Sequence, residues 1–384
     1  MHIIPYGKQN VTEDDINAVI SVLKSDMLTQ GPNVGQFEKA FAEYVGSEFA
    51  VAVSNGTAAL HLSILAMGLK EGEKVITTPI TFSASANCVR YVGGEVVFSD
   101  INPKTLLIDF EKLELLLSKS PYGTYKGIIP VDFSGRAVDL EALKILAIKY
   151  GCWIIEDACH APGGFFLDSE NNVQLCGNGK YADLSIFSFH PVKHITAGEG
   201  GIITTNSRKL YERLINLRTH GIQQDKTLNV YKQGGWYYEM QELGYNYRLT
   251  DIQAALGYSQ LKRADKGLVK RKNIAKIYND AFQNEYFIIN QSGLYEGHAY
   301  HLYVIEVLDR DRLFEFLRSN GIIVQVHYIP VHLMPYYRGL GWKDGDMVNS
   351  EEYYSRCISL PIYPTLTSDE QNYVISKIRE FYGK

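Results

Sequence analysis

The sequence predicts an α/β protein: a mostly parallel β-sheet flanked by helices, followed by a smaller α+β unit. Three observations carry that expectation. Short β-branched runs alternate with helical patterns over the first half of the chain. Residues suited to chemistry gather where those runs end. The alternation then stops at a long helical stretch that begins near residue 249.

Taken in order, "FAVAVS" (49–54) leads into "TAALHLSILAMG" (57–68), and "KVITTP" (74–79) into "TFSASANCVRYVG" (81–93). "EVVFSD" (95–100) and "KGIIPVDF" (126–133) read as further strands. "DLEALKILAIKYG" (139–151) reads as a helix feeding the strand "CWIIEDA" (152–158). The polar, Gly- and Asn-rich segment 163–183 reads as a surface hairpin, and "ADLSIFSF" (182–189) and "GGIITTN" (200–206) complete the sheet. The stretch 249–282 reads as one long helix, opened by a capping box at Thr250 and Gln253. Beyond it, 300–307 and 322–330 read as strands, and 311–321 and the segment after Thr367 as helices. A domain boundary near residue 265 gives a large domain, 1–265, and a small one, 266–384.

Composition excludes several classes. The 384 residues carry a net charge of -5 with acids and bases interspersed, so nothing suggests a nucleic-acid partner. No run approaches the roughly 18–20 apolar residues of a membrane span. The N-terminus lacks the basic start and apolar run of a signal peptide. Cys88, Cys152, Cys159, Cys176 and Cys357 are scattered without a CxxC pair, so neither a disulfide framework nor a metal site is expected. A reducing, cytoplasmic setting is the expectation.

The stretch "FSFHPVKHITAGEGG" (187–201) places one lysine, Lys193, between a strand end and a glycine-rich turn. Partial burial there lowers an amine's pKa and makes it a nucleophile. Asp157 ends an apolar strand in "IIEDACH" (154–160), and His160 follows three residues on. The bland reading is a solvated strand-end turn; the sharper one is a buried carboxylate paired with a cation such as a pyridinium. In "SNGTAALHL" (54–62) the amides of Gly56, Thr57 and Ala58 open a helix, a geometry that holds phosphate. Many such turns only cap their helix. Ser188 adds a hydroxyl at a second strand end. Phe82 could lie on a planar ring, although taken alone it reads as core. Together these are the parts of a pyridoxal phosphate site.

The run "EDACHA…SIFSFHPVKHITAGEGG" closely resembles the sugar aminotransferases of the DegT/DnrJ/EryC1 family, enzymes of fold type I pyridoxal phosphate architecture. "LTQGPNVGQFEKAFAEYVG" (28–46), "SNGTAALHL", "TPITF" and "LGYNYRLTDIQAALGYSQL" (243–261) extend the resemblance over essentially the whole chain. "VQVHYIPVHLMPYYR" (324–338) resembles the branch acting on UDP-2-acetamido-2,6-dideoxy-β-L-arabino-hexos-4-ulose, toward pseudaminic acid.

The resemblance implies roles. Lys193 matches the Schiff-base lysine and Asp157 the partner of the pyridine nitrogen. His160 stands where many relatives have Gln, near the ring hydroxyl. Ser188, Gly56 and Thr57 match phosphate contacts, and Asn246 matches a residue reaching the phosphate from the neighbouring subunit of a homodimer. Tyr6, Leu28, Thr29, Gln325, Val326, His327 and Tyr328 match positions lining the nucleotide-sugar site. The cofactor is expected to cycle between pyridoxal and pyridoxamine phosphate, with glutamate as amino donor. Two departures stand out: His194 in place of a Pro, and a longer hairpin at about 165–180. Other readings are a different UDP- or dTDP-4-keto-6-deoxyhexose substrate, a dehydratase (against which Lys193 argues), and a non-catalytic cofactor-binding regulator.

Overall fold

The computed structural model describes residues 3–222, 229–231 and 234–384. Nine of its strands precede residue 206: β1 (Phe49–Val53), β2 (Lys74–Thr77), β3 (Glu95–Phe98), β4 (Tyr125–Ile129), β5 (Trp153–Asp157), β6 (Phe165–Leu167), β7 (Val173–Leu175), β8 (Leu184–Ser188) and β9 (Gly201–Thr205). Seven of them form one sheet in the order β1-β9-β8-β5-β4-β2-β3. β9 alone runs antiparallel to both its neighbours; the other pairings are parallel. The strands are near-continuous apolar runs because helices cover both faces. β6 and β7 pair as the expected hairpin, with Asn171 in its turn at φ 63.

Helix Gly56–Met67 is buried along most of its length, including Ala58, Ala59, Leu60, Leu62 and Ile64. It starts at Asn55, whose side chain accepts the Ala58 N–H, and stops at Gly68, left-handed at φ 76. Burial on this scale, roughly 1.5–3 kcal/mol for each large apolar side chain, fixes where its N-terminus points. That end faces the carboxyl end of β8.

The expected long helix is two. Asp251–Leu261 is followed, after a break at Lys262 and Arg263, by Ala264–Phe282. Arg263 leaves helical geometry at φ -123, ψ 14, and its guanidinium meets Asp15 and the Asn10 carbonyl, which draws the chain aside. The capping box of Thr250 and Gln253 is present.

The second helix packs into a separate core with β10 (Ile288–Gln291), β11 (Tyr303–Val307) and β12 (Cys357–Leu360), a three-stranded antiparallel sheet, and helices Arg310–Ser319 and Ser368–Phe381. Ile4 of the N-terminal segment joins that core and pairs with Ile322. Residues 322–330 are not the strand their pattern suggests. Gln325 makes one bridge to Ser359. Thereafter backbone groups turn to other partners: Tyr353 donates to the His327 carbonyl at 2.7 Å, and the Val331 N–H to the Pro79 carbonyl at 2.9 Å. β10 and β12 were not apparent from the sequence pattern, being only four residues each.

One glycine sets how closely β9 approaches the start of helix Gly56–Met67. A Cβ on Gly201 would lie 2.5 Å from the Asn55 carbonyl oxygen and 2.9 Å from the Gly56 nitrogen. Gly201→Ala is expected to lose about 1–3 kcal/mol by overpacking against backbone. Gly35→Ala, in a helix with nothing within 4 Å of the added carbon, is expected to gain up to about 1 kcal/mol. Denaturant melts of the two variants check this; equal midpoints would show that the close approach is not constraining.

Candidate active site

Several strand ends and their following turns open into one cavity of about 730 Å³. Its lining includes Lys193, Asp157, His160, Ser188, Gly56, Thr57, Ala58 and Phe82 from the large domain. Tyr6 of the N-terminal segment and His327 and Tyr328 of the segment 322–330 line it too.

At the helix start, Asn55 uses its side chain on the Ala58 N–H at 2.8 Å and its carbonyl on the Ala59 N–H at 3.1 Å. The Ala58 amide is therefore occupied, and only the Gly56 and Thr57 amides lack a partner among the described residues. A side chain on Gly56 would meet Ser188 Cβ at 3.0 Å, so glycine here lets the Ser188 hydroxyl reach the turn. Two free amides and a hydroxyl at a helix N-terminus fit a phosphate.

Asp157 ends β5 and is 5 % exposed. Its Oδ2 accepts from Ser85 Oγ at 2.6 Å and its Oδ1 from the Cys159 N–H at 3.2 Å. Lys193 lies in the turn five residues past β8, half-buried, with its own N–H on the His190 carbonyl at 2.9 Å. Desolvation draws its ammonium pKa down, against the opposing pull of Cys159 and Asp157. Phe82 is 61 % exposed: it stands open on the cavity wall and is not the core residue its composition suggests.

His160 sits under the cavity, 5 % exposed. It accepts the Ser134 N–H on Nδ1 at 3.3 Å, and its Nε2 lies 3.2 Å from the Tyr328 hydroxyl. The His301 ring lies 4.3 Å away, centroid to centroid. Burial, then the Lys193 charge, holds His160 well below the ordinary imidazole range. His194, which replaces the expected Pro, bonds the Ala299 carbonyl at 2.8 Å and is likewise held neutral by burial.

Not every expected residue arrives. Leu28 and Thr29 are exposed and line no part of this cavity; the Leu28 carbonyl accepts the Asp251 N–H and Thr29 pairs with Thr250. Gln325 bridges Ser359 through its backbone, and Val326 packs on the apolar cluster that joins Ile76 and Ile128 to Leu302 and Val304; neither lines the cavity. Asn246 is exposed, paired with Thr219, and outside its own chain's cavity. Conversely, Ser85, Cys159 and His301 belong to the site and were not singled out. Ser85 had a signal, one helical turn after Phe82 in "TFSASAN"; His301, from a distant segment, had none.

On the opposite side of β5 from Asp157, Asp132 and Glu156 lie together, both fully buried with Cys176. Burial first, and for Asp132 the Glu156 charge as well, raise both carboxyls. Asp132 Oδ1 accepts the Val138 N–H at 2.8 Å, and repulsion between two carboxylates this close disfavours charge on both at once.

The buried histidines make stability depend on pH. Burial brings His298 and His327 down to about 3. The unfolded chain binds a proton at each below about pH 6.5 while the folded chain does not, so stability is lost as pH falls. Each contributes a slope of up to about 1.4 kcal/mol per pH unit between about 6.5 and 3. His298→Gln is expected to flatten the fall of stability between pH 6.5 and 5 by about one such slope. Urea melts across that range check it; an unchanged slope would place the proton elsewhere.

The profile of the DegT/DnrJ/EryC1/StrS aminotransferase family matches residues 9–379. The spore coat polysaccharide biosynthesis protein SpsC of Bacillus subtilis is 37% identical over 99% of this chain and 97% of its own. The UDP-4-amino-4,6-dideoxy-N-acetyl-beta-L-altrosamine transaminase of Campylobacter jejuni is 38% identical over 97% of this chain and 96% of its own. Among solved structures, Helicobacter pylori PseC, an aminotransferase involved in the biosynthesis of pseudoaminic acid, superposes with a TM-score of 0.88 at 30% identity, covering 98% of both chains. The sugar aminotransferase Spr1654 of Streptococcus pneumoniae, described as putative, is known in PLP and PMP forms, with TM-scores of 0.88 and 0.89 at 27% identity and coverage of at least 98% of each chain. The chain belongs to the DegT/DnrJ/EryC1/StrS family and is a pyridoxal-phosphate-dependent sugar aminotransferase.

Proposed function

We propose that the protein moves an amino group from glutamate to C4 of a UDP-linked 4-keto-6-deoxy-N-acetylhexosamine. The substrate is UDP-2-acetamido-2,6-dideoxy-β-L-arabino-hexos-4-ulose, on the route to pseudaminic acid. The observation that carries the reading is the convergence of Tyr6, His327 and Tyr328 on the cavity that Lys193 lines. A volume of about 730 Å³ falls within the roughly 300–1,000 Å³ of small-molecule sites, and the polar tips of those three residues suit a sugar. The similarity to the Campylobacter jejuni transaminase supports the choice of sugar. The similarity to SpsC, at nearly equal identity, favours a second reading with another nucleotide-linked 4-keto sugar.

When bound, pyridoxal phosphate supplies an aldehyde carbon that carries the amino group and a ring that accepts an electron pair. The Gly56 and Thr57 amides and the Ser188 hydroxyl would hold its phosphate. Asp157, oriented by Ser85 and the Cys159 amide, would keep the ring nitrogen protonated. Phe82, open on the cavity wall, would pack on the ring. Lys193, lowered in pKa by desolvation, is the base that takes the donor's α-proton and later returns a proton to the sugar C4. His327 spends Nδ1 on Ser359 Oγ at 2.8 Å, which leaves Nε2 for the sugar.

Choice between epimers follows from buried polar groups that the wrong sugar leaves unpaired, about 1–3 kcal/mol each. With two such groups, the β-L-arabino sugar is expected to be preferred over its D-xylo epimer by roughly a hundredfold or more in kcat/KM. Assay of both with glutamate decides it; equal use or the reverse preference would overturn the sugar and leave the aminotransferase standing.

The exposed position of Asn246, outside its own cavity, supports a homodimer in which it serves the partner's site. Mixing Lys193→Ala subunits with Asn246→Ala subunits then yields one site with both lesions and one with neither. Activity is expected to reappear in the mixture. No recovery, with subunit exchange confirmed by mass, would count against sharing.

A further inference from the structure

Two backbone N–H groups decide which nitrogen carries the proton in two buried histidines. The Ser134 N–H donates to His160 Nδ1 at 3.3 Å, and the Tyr300 N–H to His298 Nδ1 at 2.9 Å. A backbone N–H can only donate, so each Nδ1 presents its lone pair. A neutral imidazole arranged this way carries its proton on Nε2. An imidazolium would set one N–H against another. His298 Nε2–H therefore donates to Ser134 Oγ at 3.2 Å, and His160 Nε2–H to Tyr328 Oη at 3.2 Å. Tyr328 Oη is an acceptor in that bond, and it has no other partner among the described residues. Its own proton is left to point into the cavity that Tyr328 lines.

The backbone of Ser134 is committed to this arrangement. It is a buried non-glycine residue in the left-handed region, at φ 59 and ψ -2. Such a conformation is unfavourable for serine and persists only where its surroundings hold it. The surroundings do: its carbonyl accepts the Leu302 N–H at 3.1 Å, and the neighbouring Gly135 carbonyl the Ala299 N–H at 2.7 Å. A Cβ on Gly135 would strike the Tyr300 nitrogen at 2.8 Å and the His160 carbonyl oxygen at 2.9 Å, so the two segments meet backbone to backbone.

We propose that Ser134 is a positioning residue that locks His160 as the Nε2–H tautomer, and that this makes the Tyr328 hydroxyl a hydrogen-bond donor to an oxygen of the bound reactant. The inference rests on the aminotransferase chemistry and not on which sugar is used. The neutrality of His160 agrees with it: burial, Lys193, His327 and His194 all oppose a charge there. The chain His298–Ser134–His160–Tyr328 has one direction of donation at each histidine.

The test reads the proton directly. ¹⁵N spectra of the full-length, histidine- and serine-labelled protein, with and without pyridoxal phosphate, are assigned at position 160 by difference from His160→Gln. The expected result is the neutral Nε2–H tautomer at pH 7 in both states, with a scalar coupling across the hydrogen bond from the Ser134 nitrogen to His160 Nδ1. An Nδ1–H tautomer or an imidazolium at that pH would overturn the lock, and these readouts need no substrate. Turnover tests the consequence. Tyr328→Phe is expected to lower kcat about 10²-fold with little change in the tautomer signals. A glutamine amide reaches the place of Nε2 and an asparagine amide that of Nδ1. His160→Gln should therefore stay within about tenfold of the parent kcat and His160→Asn fall about 10²-fold. Parent-like turnover in Tyr328→Phe, or Asn serving as well as Gln, would overturn the donor role.

Discussion

Desolvation of basic nitrogen is the constraint on which this site depends. Lys193 and the histidines at 160, 194, 298, 301 and 327 are all drawn below their ordinary pKa, in each case first by burial. Arg271 is the cation beneath them. It is fully buried and donates to three carbonyl oxygens: Tyr300 at 3.1 Å, His301 at 3.3 Å and Ile362 at 3.0 Å. Desolvation brings it to about 10, still charged at neutral pH. Its field then adds to burial at Lys193, His194 and His301. A neutral amine is the nucleophile and the base; a neutral imidazole can accept on one nitrogen and donate on the other. The same dry surroundings disfavour charge on the amine and on the imidazoles alike.

The sheet makes that environment possible. Alternation along β5 sends Glu156 and Asp157 to opposite faces. Glu156 meets Asp132 and the Gly177 N–H at 2.9 Å on the side away from the cavity. Asp157 meets Ser85 and Cys159 on the cavity side. The Asp132 N–H also donates to the Asp157 carbonyl at 3.1 Å, so the two acidic centres share a backbone without sharing solvent. The strand ends set positions to within a rotamer, as ligand sites of open α/β sheets generally do.

How much of this was legible in the sequence follows from the same physics. Lys193, Asp157, Ser188 and Gly56 lie at or just beyond strand ends, and strands announce themselves by apolar runs bounded by turn residues. Their convergence follows from parallel topology. Ala58 was misassigned because its amide competes between a ligand and the Asn55 side chain, and capping won. The long helix was misread as continuous because Lys262 and Arg263 are good helix formers; the tertiary contact of Arg263 with Asp15 overrides that preference. Ser134 was invisible, since a left-handed serine leaves no mark in a one-letter code.

The His327 and Tyr328 side of the cavity was least legible, for a different reason. Residues 322–330 alternate like a strand, and alternation assigns Gln325 and His327 to one face and Val326 and Tyr328 to the other. That inference needs a neighbouring strand to hold the pleat. Here pairing ends after Gln325 and Ser359, and the backbone is held by Tyr353 and Pro79 instead. His327 and Tyr328, adjacent in sequence, both line the cavity, while Gln325 and Val326 do not. The cofactor end is thus built on repeating backbone, where position can be inferred from period. The His327 and Tyr328 wall is built on an irregular segment, where each side chain is placed by its own partner. A new partner for that segment would move His327 and Tyr328 and leave Lys193, Asp157 and the Gly56 turn where the sheet puts them.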